Sequence, residues 1–580
     1  MRKRQLMVGL LAAGMVMTTV SGCGSQGGDS KQTANEGKTT AQANTASSEK
    51  TVTADGISLP ITDEPITLKV FAPADAENRR EDNLQTKELE ASTGIKIEWM
   101  TAANENIQEK LNVILASGDL PDIIFTGVGM ANKYDKATEQ SLGEQGLVIP
   151  LNEYLDTISV GYKKAFEKDE NLRDYITTPS GDIYSLPNVD GNIHVQYNLK
   201  CWMNTEWLDR LGLEMPETTE EFYQVLKAFK EQDANGNGDP NDEIPLSTVT
   251  SGAGTQVDGF LMNPFQLTSD INGLYVDNGV VTYAPVQEGY KEGLLYLNKL
   301  YEEGLLNPES FTQDRVNQVN INEAGEECVI GCILASRPGY ACDTSAAATS
   351  EKWKQYQPVP ALTGPSGQCV SSWNPYCGYA TGMTFITSSC KYPEEAFRLL
   401  DYLATEEMSY RSFLGVEGVH WQKLPEDTDK VGVDGSKAKW ETIPTDDVNY
   451  CWGQLACLVR HEDWQLGQAM PADPYAEGVK PPQGTQVLFY KAAKDLEKTR
   501  QPLESVMPSL YMNSEDASQR SLLETTIIDT QKEAMVQFIT GSRDIESEWE
   551  AYKASLESVG LSEYLQILQK AYDASAFASR

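Results

Sequence analysis

Residues 95–125, IKIEWMTAANENIQEKLNVILASGDLPDIIF, decide the fold class. Ile95, Ile97 and Trp99 alternate with polar residues, the period of a strand with one covered face. Ile107, Leu111 and Ile114 then recur at helical spacing, and Ser117-Gly118-Asp119 stops that helix. Asp122-Ile123-Ile124-Phe125 is a short apolar run of the kind buried on both faces. Strand, helix and strand in this order argue for parallel pairing with helices on the sheet. Upstream, Ile66-Thr-Leu68-Lys-Val70 alternates in the same way and supplies another strand. Ligands of such sheets sit off the carboxyl ends of the strands. The turns Ala72-Pro73-Ala74-Asp75 and Thr126-Gly127 are therefore expected pocket rims.

A second α/β segment follows. Thr218 and Glu221 offer a capping box, and Phe222, Val225, Leu226 and Phe229 form the apolar stripe of the helix behind it, which is expected to pack in a core. Another helix is expected from Pro393, with Ala396, Phe397, Leu400 and Leu403 facing inward. No internal repeat suggests a solenoid.

The N-terminus fixes where this body works. Met1-Arg2-Lys3-Arg4 is a basic segment, Leu6 to Val20 is an apolar run too short to span a bilayer, and Val20-Ser21-Gly22-Cys23 ends in cysteine after small residues. This resembles the bacterial lipobox, so residues 1–22 are expected to be a lipoprotein signal peptide and Cys23 the lipidated first residue. The alternative is an ordinary secretory signal with a coincidental cysteine. Residues 23–60 lack apolar periodicity and are expected to be a disordered tether reaching roughly 30–35 Å. The expected location is the extracellular face of the cell membrane.

The 580 residues carry a formal charge of −38, and loss of Arg2, Lys3 and Arg4 with the signal makes the chain more acidic still. A field of that sign repels nucleic acid and anionic lipid head groups, so neither is an expected partner. Beside Cys23 stand nine cysteines: Cys201, Cys328, Cys332, Cys342, Cys369, Cys377, Cys390, Cys451 and Cys457. An odd number cannot all pair within one chain. Cys328 and Cys332 lie one residue too far apart for a redox pair, and no second close pair or nearby histidine completes a zinc site. Buried thiols are the expectation.

Several stretches resemble a known family. They are Leu115-Ala-Ser-Gly118-Asp-Leu-Pro121-Asp-Ile-Ile and the run from Trp202 to Phe222, WMNTEWLDRLGLEMPETTEEF. Tyr356 to Gly367, Pro393 to Leu403 and Gly415 to Trp421 follow in the same order. Together they resemble the extracellular solute-binding proteins of the maltose-binding type, in a subgroup of large lipoproteins that serve ATP-driven carbohydrate importers. The resemblance implies an α/β, two-lobed periplasmic-binding-protein-like fold (type II), with mixed sheets flanked by helices and an interlobe hinge. Lobe 1 is expected to take residues 61–195 and about 380–445, lobe 2 about 196–379 and 446–580. The chain is expected to cross near Val195 to Lys200 and near Val370 to Thr384. The implied partners are an oligosaccharide ligand, the permease subunits of an ABC transporter, and the membrane through the lipid anchor.

The most specific local motif is the loop Asp233 to Glu243, DANGNGDPNDE. Oxygen-bearing side chains at alternate positions wrap a hard cation, and glycine at the sixth place permits the sharp turn. Asp233, Asn235, Asn237 and Asp239 fall at the first, third, fifth and seventh places. The twelfth is Ile244 where an EF-hand has glutamate, so Asp242 or Glu243 has to close the shell. The loop resembles the calcium site of alginate-binding members of the family and is expected to hold a structural Ca2+. The alternative is a polar turn rich in asparagine, aspartate and glycine.

Sugars are bound by flat aromatic faces flanked by carboxylates and amides. Aromatics close to the expected crossings and lobe edges give the candidate ligand contacts Trp202, Trp373, Tyr376, Glu417, Trp421 and Trp452, although any single tryptophan is more often core. Catalysis has little support, and no enzymatic role is expected. His194, His420 and His461 lack metal-ligand spacing, and no nucleophile elbow is present. A receptor of the same fold for a peptide or an acidic solute, and a surface glycoside hydrolase or lyase, stay open as alternatives. An acidic ligand calls for arginine, and Arg79-Arg80 is the only adjacent pair.

Overall fold

A computed structural model of the chain describes residues 50–74, 79–127, 133–269, 272–455 and 457–579. The signal peptide, Cys23 and the tether up to residue 49 lie outside the described residues, as does Asp75. Ten strands position the candidate site: β1 (Ile66–Pro73), β2 (Ile95–Ala102), β3 (Ile123–Phe125), β4 (Leu186–Asp190), β5 (Cys201–Asn204), β6 (Ile244–Ser247), β7 (Ile330–Leu334), β8 (Tyr356–Pro358), β9 (Tyr379–Ile386) and β10 (Val459–Arg460).

Six of them form one sheet in the order β10-β4-β9-β3-β1-β2. The β1 strand is parallel to both neighbours, with Val70 opposite Trp99 and Ile123. The later β9 enters antiparallel between β3 and β4, with Thr384 opposite Phe125 and Tyr379 opposite Val189. Every residue of β9 is buried, as a strand covered on both faces requires. Its register breaks between Ala380 and Thr384. Gly382 sits there at φ 67°, and a Cβ on it would lie 2.2 Å from the Tyr134 carbonyl oxygen, so no other residue fits. The helix expected after β2 spans Ile107–Ser117, buries Ile107, Leu111 and Ile114, and ends at Gly118 in the left-handed conformation.

The other four strands form a second sheet in the order β8-β5-β7-β6. The capping box is present: the Thr218 hydroxyl accepts from the Glu221 N–H, and the Glu221 carboxylate accepts from the Thr218 N–H. The helix behind it, Thr219–Glu231, buries Phe222, Leu226 and Phe229, the last edge-on to Trp207 at 5.1 Å. Burial of one such ring contributes about 1.5–3 kcal/mol. The helix from Pro393 spans Pro393–Leu403 and buries all four expected residues. These elements make a two-lobed α/β protein.

The chain passes from the first sheet to the second over residues 191–200 and returns over 359–378. Two boundaries differ from the sequence expectation. Val459 pairs with Val189, so the six-stranded sheet draws on chain beyond residue 445. The next long helix, Pro481–Glu497, packs on the second sheet, where Phe489 meets Trp202 edge-on at 6.2 Å. A two-residue strand is too short to show in periodicity. The expected tether up to residue 60 also ends early. Residues 51–52 and 58–59 pair, Ile57 is buried, and the Asp55 carboxylate accepts from the Glu407 N–H at 3.0 Å and pairs with Lys164. Asp55 thus caps a helix from a distance, which its polar neighbours conceal.

None of the nine described cysteines is in a disulfide. Cys201, Cys328, Cys332, Cys342 and Cys457 are buried as expected, whereas Cys369, Cys377, Cys390 and Cys451 are half-buried. Among the described residues, no helix is long and apolar enough to cross a membrane.

Candidate functional site

The strand-end rule points to the carboxyl end of β6. The chain leaves that strand through Thr248-Val-Thr-Ser-Gly-Ala-Gly-Thr-Gln-Val-Asp258, rich in hydroxyl and glycine residues. There it lines a cavity of about 510 Å3, within the usual range for small-ligand pockets. Leu199 from the first crossing and Tyr283 add to the walls, and Gln531 and Lys532 project from the helix Ser514–Ile539. Asp258 is held there by the Tyr290 hydroxyl, which donates to Oδ2 at 2.6 Å. The Gln531 amide donates to the same oxygen at 3.3 Å and to the Tyr290 oxygen at 2.7 Å. Burial pushes the Asp258 carboxyl above the usual range, partly offset by these hydrogen bonds. Chemically, the cavity offers one fixed carboxylate among hydroxyls and amides and suits a ligand rich in hydroxyls.

A second cavity, about 490 Å3, opens at the crossings, lined by Asp169, Asp190, Gln196, Trp373 and Tyr379. Trp373 donates its indole N–H to Gln196 at 2.9 Å, and the Arg500 guanidinium lies 4.5 Å from its ring centroid. A third hollow, about 290 Å3, takes in Glu88, Arg411, Glu417 and Trp421.

The six expected ligand contacts do not gather in one place. Trp373 borders the crossing cavity. Trp202 is wholly buried, its N–H satisfied by the Ala335 carbonyl at 2.9 Å, and it packs the second sheet rather than offering a face to a ligand. Trp452 is 2% exposed, donates to Thr86 and meets Trp99 edge-on at 5.4 Å. Tyr376 stacks on Tyr175 at 5.1 Å. Glu417 pairs with Lys423, and Trp421 packs on Tyr410 at 4.8 Å with its N–H on the Gly415 carbonyl. Aromatic rings gain most from complete burial, so a tryptophan near a lobe edge is drawn into whichever core is closest. Of the expected rims, Thr126 is buried, donating to the Gly382 carbonyl. Arg80 is buried with Nε on the Pro73 carbonyl, and Arg79 pairs with Asp82, so neither lines the cavity below β6. None of the six candidates belongs to that cavity either. Its signal was the hydroxyl and glycine run at the end of an apolar strand, the same rule that marked the first lobe.

The acidic loop folds as a compact turn. Gly238 has φ 92°, as the sixth place requires, and its N–H reaches Asp233 Oδ2 at 3.0 Å. Asn235 and Asn237 donate their amides to the two oxygens of Asp242, at 3.0 and 2.7 Å. Asp239 turns away from this pair and accepts from Asn241. Asp233 Oδ1 and Glu243 Oε2 are buried without a hydrogen-bond partner, and burial raises the Glu243 carboxyl. Hard oxygen donors left unsatisfied in this way fit a cation such as calcium. Among the described residues, no three His, Cys, Asp or Glu side chains converge on a metal position.

The first crossing carries a buried histidine. His194 stacks on Phe489 at 5.1 Å, with Nδ1 buried and unpartnered. Lys200 donates to the His194 carbonyl at 2.9 Å and also to that of Tyr197. Burial, then the positive charges of Lys200 and Arg337, hold the imidazole down at about 3. In the unfolded chain it titrates near 6.5. Between these values only the unfolded state binds the proton, so stability falls as pH drops through that window, by about 1.4 kcal/mol per unit. We expect His194→Phe to lose less stability than the parent between pH 7 and pH 4 in urea unfolding; equal losses would refute this role.

A polar cavity at the carboxyl end of β6, in a two-lobed fold joined by crossing segments, fits a binding protein for a small solute. Residues 76–409, more than half of the chain, match the bacterial extracellular solute-binding proteins, and the chain belongs to that family. It is similar to the fructooligosaccharide ABC transporter substrate-binding protein FusA of Streptococcus pneumoniae, 29% identical over 531 residues, covering 90% of this chain and 92% of that protein. FusA in complex with kestose superposes with a TM-score of 0.63 at 25% identity, over 88% of this chain and 99% of that one. An EF-hand mutant of FusA with fructo-nystose superposes at 0.62 over the same shares and at the same identity. Lipoprotein LipO of Bacillus subtilis is 26% identical over 514 residues, 88% of this chain and 93% of that protein. For the fold alone, an extracellular solute-binding protein of Bifidobacterium longum subsp. infantis superposes at 0.71 with 24% identity, over 90% of this chain and 99% of that one.

Proposed function

We propose that this chain is the lipid-anchored substrate-binding protein of an ABC importer, capturing an oligosaccharide and delivering it to the permease. The cavity below β6 carries the reading, because its walls of hydroxyls, amides and one carboxylate suit a polyhydroxylated ligand. Similarity to FusA over nine-tenths of the chain supports the solute class. With the sugar held on lobe 2, capture closes lobe 1 toward it across the cavity at the crossings, with residues 191–200 and 359–378 as the bending segments and Trp373 beside them. Lobe 1 then comprises residues up to about 190 with about 379–460, and lobe 2 the remainder. Membrane attachment through Cys23 keeps the loaded receptor near the permease. The test is tryptophan fluorescence of the chain from Gly24 onward, titrated with kestose and a panel of plant, host and microbial oligosaccharides in calcium buffer. Saturable change without product formation is expected. Turnover would replace the receptor by a hydrolase or lyase, and silence from a folded chain would point to a peptide or other solute.

The loop Asp233 to Glu243 would hold calcium. Asp233, Asn235, Asn237, Asp242 and Glu243 supply its side-chain oxygens, and Asp239 its backbone carbonyl. A bound cation would neutralise the buried carboxylates and tie the loop down. Chelation is therefore expected to lower the melting temperature, and calcium at a hundred times its Kd to restore about 2.7 kcal/mol. No shift in either direction would remove the assignment.

A further inference from the structure

We propose that Asp258 is the specificity-determining contact of the cavity below β6: a fixed acceptor for two neighbouring hydroxyls of a neutral sugar that disfavours acidic glycans. The inference rests on the receptor reading and deepens it. Three separate elements fix this carboxylate: its own loop after β6, the helix Glu288–Glu302 through Tyr290, and the helix Ser514–Ile539 through Gln531. Tyr290 is wholly buried and Gln531 is 6% exposed, so both donors are largely withdrawn from solvent. Both donors land on Oδ2. The N–H of Asp258 itself also stabilises the carboxylate. An ionised carboxylate accepts about four hydrogen bonds. Acceptor capacity is thus left on a half-buried side chain that lines an open cavity.

Two hydroxyls on adjacent carbons match a carboxylate edge, and such charge-assisted bonds are about twice as strong as neutral ones. Ser251 and Gln256, exposed in the same wall, add donors and acceptors that a sugar can use without desolvating a charge. A uronate carboxylate in this position would face Asp258 as a like charge. Lys532, the cation lining the cavity, is exposed and contributes a positive charge toward Asp258 itself.

Calorimetric titration of the chain from Gly24 onward would use kestose, maltotriose, cellotriose and xylotriose as neutral probes and trigalacturonate as the acidic one. The wild-type chain is expected to bind one of the neutral probes at least about tenfold tighter than trigalacturonate. Asp258→Asn, which keeps an oxygen for Tyr290, is expected to weaken that neutral probe by about tenfold or more with an unchanged melting temperature. Binding of the variant within twofold of wild type, or tighter binding of trigalacturonate than of any neutral probe, would overturn the inference while leaving the receptor reading intact. The comparison of neutral and acidic probes needs no variant, so it decides even where Asp258→Asn misfolds. Failure of every probe on a folded wild-type chain would remove the oligosaccharide reading and the inference with it.

Discussion

Asp401→Ala is expected to lower the stability of the protein by about 3–4 kcal/mol, against about 1 kcal/mol for an average substitution. Asp401 is 2% exposed on the inward face of the helix Pro393–Leu403. Its carboxylate accepts four hydrogen bonds: from the Ser159 hydroxyl at 2.6 Å and from the N–H groups of Val160, Gly161 and Tyr162 at 2.6, 3.1 and 3.0 Å. Those three N–H groups stand at the start of the helix Gly161–Lys168, where no earlier turn can satisfy them. One negative charge therefore caps a helix start from 240 residues away, and the helix dipole favours it there. Alanine leaves the donors unpaired in a place closed to water, and each such group costs about 1–3 kcal/mol. The two helices approach closely here: a Cβ on Gly161 would lie 2.3 Å from the Asp401 carbonyl oxygen. Asp401→Asn keeps an acceptor and is expected to lose about half as much. Urea unfolding measures both. A loss below about 1 kcal/mol for alanine would show that the helix start finds other acceptors.

Cys23→Ala is expected to move the protein almost completely from the membrane fraction to the medium. The proposal gives Cys23 two acyl chains, and each buried methylene contributes about 0.8 kcal/mol. A single chain binds only marginally, whereas two hold a protein for practical purposes permanently. Among the described residues no helix is long and apolar enough to cross a membrane, and the net charge of −38 over the 580 residues is repelled by anionic head groups. Fractionation of cells carrying each form measures the change. A variant that stays with the membrane would refute lipid anchoring through Cys23.

Much of the lobe architecture was legible because it is written in local patterns. The period of two in Ile95 to Trp99, the period of 3.6 in Ile107 to Ile114, and the Thr218 capping box each specify their element within a dozen residues, and each is present. The β10 strand was not legible. Its two residues have no period, and they join the sheet only because Val189 and Asp190 offer an open edge. The surroundings of two candidate aromatics were not legible for a related reason. Trp202 and Trp452 sit in polar or edge-like sequence, yet their neighbours Phe489 and Trp99 come from distant parts of the chain. The acidic loop was legible in its turn geometry, since glycine at the sixth place adopts the left-handed conformation expected of it.

The sequence alone determined the alternation of strands and helices and the resemblance to a solute-binding family, and it carries the lipobox-like segment on which the anchoring proposal rests. These follow from short-range spacing, which sterics and periodicity translate directly into local structure. Only the tertiary structure decided which polar groups face a cavity and which are sealed in a core. Asp258 and Asp401 are both acids in ordinary helical or loop sequence. One meets Tyr290 and Gln531 at the wall of an open pocket, and the other meets the start of a helix in a dry interior. That difference is made by chain segments up to 273 residues apart, whose meeting depends on how whole layers pack and not on any residue's neighbours.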